Sequence, residues 1–257
     1  MFEKKLVDNI TCYLTKQGIT APIHRPRGRI IVEHSQDVNL RCVFGLSSYS
    51  LAVVTDATID AILQRLPYEH ITKDSTFAIH CQRLDKTLPF TSHDVAVAAG
   101  KYIQDKTQAK VHLDNPDHKI LIELMHGKAY IATKKVRCFG GLPVGVEGTV
   151  VALVNSDQDV LAALLVMRRG CAVVPVTEKG YNHPLLESYA CKEIAPQHIN
   201  RNEIDTVINT TKSLALVVGD TVDALQSYET SYVVLRPLVG FTKKQIEEQL
   251  HEFNVCQ

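Results

Sequence analysis

From residue 149 to the end of the chain, short valine-rich runs alternate with helix-forming runs. No other feature limits the possible architecture as strongly. Residues 149–154 and 171–177 read as buried strands, with a helix over 157–169 between them. Weak helices follow around 185–192 and 203–209. A strand at 213–218, a helix at 221–227, a strand at 232–235 and a final helix over 242–253 complete the run. Strands separated by helices must cross over to pair, so this part is predicted to be a mostly parallel, Rossmann-like sheet with helices on its faces.

The first half is of a different kind, α+β rather than α/β. A helix is predicted over 2–17, with Leu6, Ile10 and Leu14 at helical spacing and Gly18 as its stop. Strands at 29–33 and 53–55 and a helix at 57–65, closed by Pro67, make an α+β segment of about 70 residues. Next come a strand at 76–81 and a helix at 92–106, with Ser92 read as the N-cap and Val95, Ala98, Ala99, Tyr102 and Ile103 as the apolar face. A short strand at 110–113 and a hairpin of 119–124 with 129–133 across His126-Gly127 follow. The glycine-rich RCFGGLPVGVEG (137–148) reads as a linker.

The net charge of zero hides an asymmetry. Residues 1–147 hold 19 Lys+Arg and 15 Asp+Glu, while 148–257 hold 9 and 13. Two acid-free stretches lie in the first half, one with Lys16, Arg25, Arg27 and Arg29, the other with Lys128, Lys134, Lys135 and Arg137. Such local cation clusters suit a polyanion. The seven cysteines form no C-x-x-C and are odd in number, which argues against a disulfide framework and a zinc site. No apolar run is long enough to span a bilayer, and the charged N-terminus lacks a signal-peptide core. A cytoplasmic protein is expected.

Specific stretches carry more. RGRIIVE (27–33), RCVFGLSSYS (41–50), TFAIHCQRLDKTLPFTS (76–92), KVHLDNPDHKILIELMHGKAYI (110–131), GGLPVGVEGTVVAL (140–153), LVVGDTVDALQS (216–227) and VVLRPLVGFTKKQI (234–246) follow one another along nearly the whole chain. Together they resemble the tRNA 4-thiouridine sulfurtransferases, which join a ferredoxin-like domain, a THUMP domain and an ATP-pyrophosphatase domain. The resemblance implies a ferredoxin-like segment over 1–72, without the family's first strand and its G-E-I-x-x-K-like motif. It implies a THUMP RNA-binding domain over 73–137, a linker over 138–148, and a degenerate ATP-pyrophosphatase-like domain over 149–257.

A THUMP module must hold an RNA backbone while reading few bases, which calls for cations, hydroxyls and main-chain N–H groups on rigid elements. Arg83, Lys86, Thr91 and Ser92 cluster at a strand-to-helix turn and fit that need. The following helix start offers N–H groups to a phosphate. Lys101, Lys106 and Lys110 add charge, and Lys134, Lys135 and Arg137 are expected to continue the track. Phe90 reads as a core residue.

The family's nucleotide loop is S-G-G-x-D-S. Counting back from MRRG (167–170), the equivalent residues are Val154, Asn155, Ser156, Asp157, Gln158 and Asp159. None keeps the family residue. The glycines let backbone N–H groups wrap a phosphate, and here two side chains stand in their place. Asp157 and Asp159 suit a helix N-terminus, by roughly 0.3–1 kcal/mol each. A phosphate about 4 Å away would be repelled by roughly 4 kcal/mol per carboxylate at an effective dielectric of about 20. Both acids are therefore read as helix caps, with Asn155 and Ser156 in the preceding turn. The stretch between Val176 and Leu214 is much shorter than in the family, and Thr221, Val222, Asp223 and Ala224 replace its S-L-G-Q. Cys171 and Cys191 read as structural cysteines and not as sulfur carriers.

The expectation is a tRNA-binding THUMP protein with no catalytic residues, metal or cofactor of its own. The alternative is an active tRNA uracil 4-sulfurtransferase using ATP, Mg2+ and a persulfide donor. Beyond tRNA, the partners to consider are a catalytic sulfurtransferase subunit, a cysteine desulfurase and a second copy of the chain; no membrane partner is expected.

Overall fold

A computed structural model describes residues 2–254 apart from Arg27, Ser35, Asp85 and Glu193. Arg27 of the first basic stretch thus lies outside the described residues, as does Cys256. Helix α1 (Phe2–Lys16) buries Leu6, Ile10 and Leu14, the stripe set by its spacing. Gly18 follows it with φ 73°, a conformation that favours glycine. Strands β1 (Ile23–His24) and β2 (Ile31–Val32) form a small antiparallel ribbon. At β3 (Ser48–Tyr49) the chain leaves its first compact unit, residues 1–48 with 137–257, and enters the second, residues 49–136.

The second unit holds β4 (Val53–Asp56), α2 (Ile59–Gln64), β5 (Thr76–Arg83), α3 (Ser92–Thr107), β6 (Lys110–Val111), β7 (His118–Met125) and β8 (Lys128–Ala132). The sheet order is β4-β8-β7-β5-β6, with β5 parallel to both β6 and β7 and the remaining pairs antiparallel. The β7–β8 hairpin turns on His126 (φ 51°) and Gly127 (φ 71°), the positive-φ pair that a two-residue hairpin needs. Ile62, Leu66 and Ile71 share one core with Phe77, Val95, Ile103 and Ile120. Residues 49–72 therefore pack with 73–136, and not with the N-terminal segment to which the sequence reading attached them. The reason is β4, which needs β8 as its neighbour to satisfy its backbone.

The chain returns to the first unit at β9 (Val136–Arg137). There follow β10 (Thr149–Leu153), α4 (Asp157–Arg168), β11 (Ala172–Thr177), α5 (Pro184–Tyr189), β12 (Gln197–His198), α6 (Ile204–Thr210), β13 (Ala215–Val217), β14 (Val233–Leu235) and α7 (Lys243–Asn254). The five strands lie in the order β12-β11-β10-β13-β14, all parallel. Alternate residues of β10 feed two cores. Val150 and Ala152 face Leu161, Leu164 and Phe253, while Val151 and Leu153 face Ile204 and Ile208.

Three local expectations change. Residues 221–227 form only a 3-10 turn at Val222–Ala224; Val222 and Leu225 are exposed, so no apolar face holds a longer helix. The 138–148 segment is packed and not a free linker: Leu142 N–H donates to the Arg168 carbonyl at 2.9 Å and Gly145 N–H to that of Gly170 at 2.8 Å. Gly141 (φ 79°) is needed there because a side chain would run into the Arg168 carbonyl. Finally, Cys12 of α1 and Cys191 after α5 are disulfide-bonded, a pairing that neither spacing nor an odd count reveals. No helix among the described residues is long and apolar enough to cross a membrane.

Candidate nucleic-acid interface and nucleotide crevice

In the second unit, β5 ends at Arg83 and a turn carries the chain to α3. The Arg83 guanidinium donates to the carbonyls of Leu88 (3.2 Å) and Phe90 (2.5 Å). Through this one nitrogen, Nη1, it holds the turn. Lys86, on that turn, is exposed. Thr91, not Ser92, is the N-cap of α3: its hydroxyl accepts from Asp94 N–H at 3.2 Å, and its own N–H donates to Asp94 Oδ2 at 2.8 Å. These bonds from Thr91, the backbone one first, hold the Asp94 carboxyl below the usual carboxylate range. Ser92 is half-buried beside them, and Phe90 packs against the core as expected.

The structure splits the rest of the expected track. Arg83 lies opposite Leu124, but Lys110 lies opposite Thr76, at the other end of β5. Lys134 and Lys135 follow Ala132, which pairs with Leu121 as β8 runs toward that same far end. Lys101 and Lys106 are exposed along α3, with the Lys106 ammonium 5.7 Å from the Tyr102 ring centre. Arg137 is exposed but belongs to the first unit. Lys128 of the second acid-free stretch is paired with Asp56 at 2.7 Å.

In the first unit the sheet's connection order reverses at β10, whose neighbours are β11 and β13. Parallel α/β sheets take ligands outside their carboxyl edge at such a switch point. Here the loop after β10 turns inward on itself. Val154 is buried, and its N–H donates to the Val176 carbonyl. Ser156 caps α4, accepting from Asp159 N–H at 3.3 Å. Asp159 Oδ2 accepts from Ser156 Oγ (2.8 Å) and Asn155 N–H (3.1 Å), and its Oδ1 accepts from Gly219 N–H (3.0 Å). Gln158 donates to the Gly219 carbonyl. A Cβ at Gly219 would press on Asp159 Oδ1 and sit 3.0 Å from its Cα and N. Burial pushes the Asp159 carboxyl up, against those three hydrogen bonds.

The flanks are filled too. Asn155 accepts from Glu178 N–H at 2.9 Å and donates to its carboxylate at 3.2 Å, which Arg201 also binds at 3.0 Å. Asp157 is not part of the cap: it accepts from Tyr181 and faces His183 Nε2 at 3.7 Å. Burial, then that bond, push the Tyr181 phenol to about 12. Beyond Gly219, buried Asp220 accepts from Tyr228 at 3.0 Å and from Arg236 at 3.1 Å. Tyr228 lies beside both the Arg201 and Arg236 guanidiniums. Glu178, Tyr181, His183, Arg201, Tyr228 and Arg236 were not singled out in the sequence, because no spacing rule joins loops from four strand ends. Among the described residues no three His, Cys, Asp or Glu side chains are grouped to hold a metal ion.

The THUMP domain family model matches residues 55–134. A probable tRNA sulfurtransferase of Methanobrevibacter smithii is 38% identical over 186 residues, covering 67% of this chain and 47% of that protein. The chain belongs to the tRNA sulfurtransferase family. Another member, from Thermococcus kodakarensis, is 28% identical and matches 95% of this chain and 80% of its own length. That match runs over 308 residues, more than this chain possesses, so the Thermococcus member carries internal segments lacking here. The crystal structure of PH1313 from Pyrococcus horikoshii Ot3 superposes with a TM-score of 0.88 at 26% identity, over 98% of this chain and 93% of that one. The family match starts at 55, so it takes in the end of β4 and α2 as well as the elements from β5 to β8.

Proposed function

We propose that this chain is a tRNA-binding THUMP protein of its family without an ATP-dependent sulfurtransferase activity of its own. The reading of tRNA as ligand is supported by the THUMP module, by the names of the relatives, and by the exposed cations Lys86, Lys101, Lys106, Lys110, Lys134 and Lys135. One observation carries the loss of activity: Asp159 and Gln158 bond directly to Gly219 across the switch point. An ATP phosphate placed there would meet a carboxylate in place of a glycine backbone, and ATP with Mg2+ does not fit these residues. The chain would act by presenting tRNA to a catalytic subunit, or as a tRNA chaperone or decoy.

The second reading, a working tRNA uracil 4-sulfurtransferase using ATP and a persulfide donor, is favoured by the relatives' names. Titration calorimetry with ATP and Mg2+, with and without tRNA, separates the two. The expected result is tRNA binding that weakens steeply with salt and no saturable ATP binding below about millimolar. Pyrophosphate release dependent on tRNA, or formation of 4-thiouridine from a sulfur donor, would establish the second reading.

A further inference from the structure

Helix α1 meets the C-terminal part of its unit along one stripe. Asn9 Nδ2 donates to the Val144 carbonyl at 3.1 Å, Cys12 is bonded to Cys191, and Lys16 Nζ donates to the Glu187 carbonyl at 2.8 Å. Positions 9, 12 and 16 are three and four apart, so they share one helix face. The disulfide spans 179 residues of sequence with a Cα–Cα distance of 5.6 Å, within the usual range for such a bond. Both of its cysteines are only half-buried. Cys42, at 2% exposure, lines the same small cavity as Cys191, with Asn9, Tyr13, Val144 and Tyr189. Elsewhere burial pushes the Cys171 thiol up and the Cys81 thiol to about 11, so neither competes as a nucleophile.

From this geometry we infer that Cys12 and Cys191 form a redox site that exchanges with small-molecule thiols and disulfides, and that its state sets how firmly α1 is seated. In closing, the two thiols lose two protons and two electrons. A small-molecule disulfide takes up both and leaves as two thiols; an excess of thiol reverses the exchange. Opening removes the covalent tie and leaves the Asn9 and Lys16 bonds and the Leu6, Ile10 and Leu14 packing. Reduction is therefore expected to loosen the helix without unfolding the unit.

The test equilibrates the folded 257-residue protein with oxidised or reduced glutathione. It then alkylates the thiols under denaturing conditions, maps them by mass spectrometry, and measures Tm and proteolysis after α1 in parallel. In the oxidised sample Cys12 and Cys191 should be protected and linked; in the reduced sample both should be labelled. Reduction should lower the Tm of wild type by several degrees and speed cleavage around Thr20 about tenfold, as opening by one factor of ten in population requires. Neither change should appear in Cys12→Ser or Cys191→Ser, while Cys171→Ser should behave as wild type. Labelling of Cys12 and Cys191 under oxidising conditions overturns the site. A redox shift that persists in Cys12→Ser, or a wild type whose Tm and cleavage do not respond, overturns the coupling to α1.

Discussion

Two helices of this chain start with the same four-residue device and put it to opposite use. At α3 it is Thr91 with Asp94; at α4 it is Ser156 with Asp159. In both, a hydroxyl takes the N–H of the third helical residue and an Asp returns a bond. Asp94 is exposed and bonds only to Thr91, so its carboxyl is held low. Asp159 is half-buried and reaches across to Gly219, so burial pushes its carboxyl up. One cap leaves a helix start facing solvent, after the turn that carries exposed Lys86. The other ties a helix start to the adjacent strand end and fills the crevice between them. The cap chemistry is local; what it does depends on whether a second strand end stands opposite.

The comparison breaks most visibly at Gly219. Gly219→Ala is expected to destabilise the first unit by about 1–3 kcal/mol, because the methyl group has no space against Asp159. An unchanged Tm would mean that the contact yields easily and the crevice can open. Asp159→Ala should cost about 2 kcal/mol by leaving the Gly219 N–H without its acceptor; a gain in stability would show the carboxylate held there at a net cost, as at a ligand site. Thr91→Ala should cost the second unit about 1 kcal/mol, as a lost N-cap does, and leave the first unit's melting unmoved.

The pH dependence should run in opposite directions. Asp159 has a raised pKa, so its contribution is full in acid and is lost as pH rises through that pKa; the penalty of Asp159→Ala should be largest at low pH. Asp94 has a lowered pKa, so its contribution is full above the ordinary carboxylate value and is lost as pH falls through the lowered one. Penalties that follow one common pH profile would erase the distinction. The smallest expected effect is that of Lys86→Ala. It should leave Tm in place and flatten the salt dependence of tRNA binding by roughly one unit. Arg83→Lys should weaken binding without a matching change in slope, since the charge is kept while the clamp on Leu88 and Phe90 is lost. A slope that falls with Arg83→Ala alone and not with Lys86→Ala would make Arg83 the phosphate ligand after all.

Much of the fold was legible because its signals are short in range. The stripe of Leu6, Ile10 and Leu14, the His126-Gly127 hairpin and, apart from the segment 221–227, the strand–helix alternation after Thr149 appear where the spacing puts them. Ser156 and Asp159 were legible as residues of a helix start, and the absence of the family's glycines was plain. Less legible were the roles of Arg83 and Asp157. A guanidinium with one nitrogen bonded to the Leu88 and Phe90 carbonyls looks, in sequence, like one presented wholly to solvent. Asp157 faces Tyr181 and His183, 24 and 26 positions away, and no periodicity predicts that.

The sequence by itself determined most of the longer helices and strands, the lost glycines of the nucleotide loop, and the family that the ordered motifs resemble. Those follow from neighbours within a few residues or from motifs that survive in one dimension. Only the tertiary structure decided that residues 49–72 join the THUMP unit, that 1–48 pack with the C-terminal sheet, that Cys12 meets Cys191, and that Asp159 closes on Gly219. Each of these sets side chains or strands against partners distant in sequence. Such pairings are chosen by which apolar faces and backbone groups remain unsatisfied once the local elements have formed.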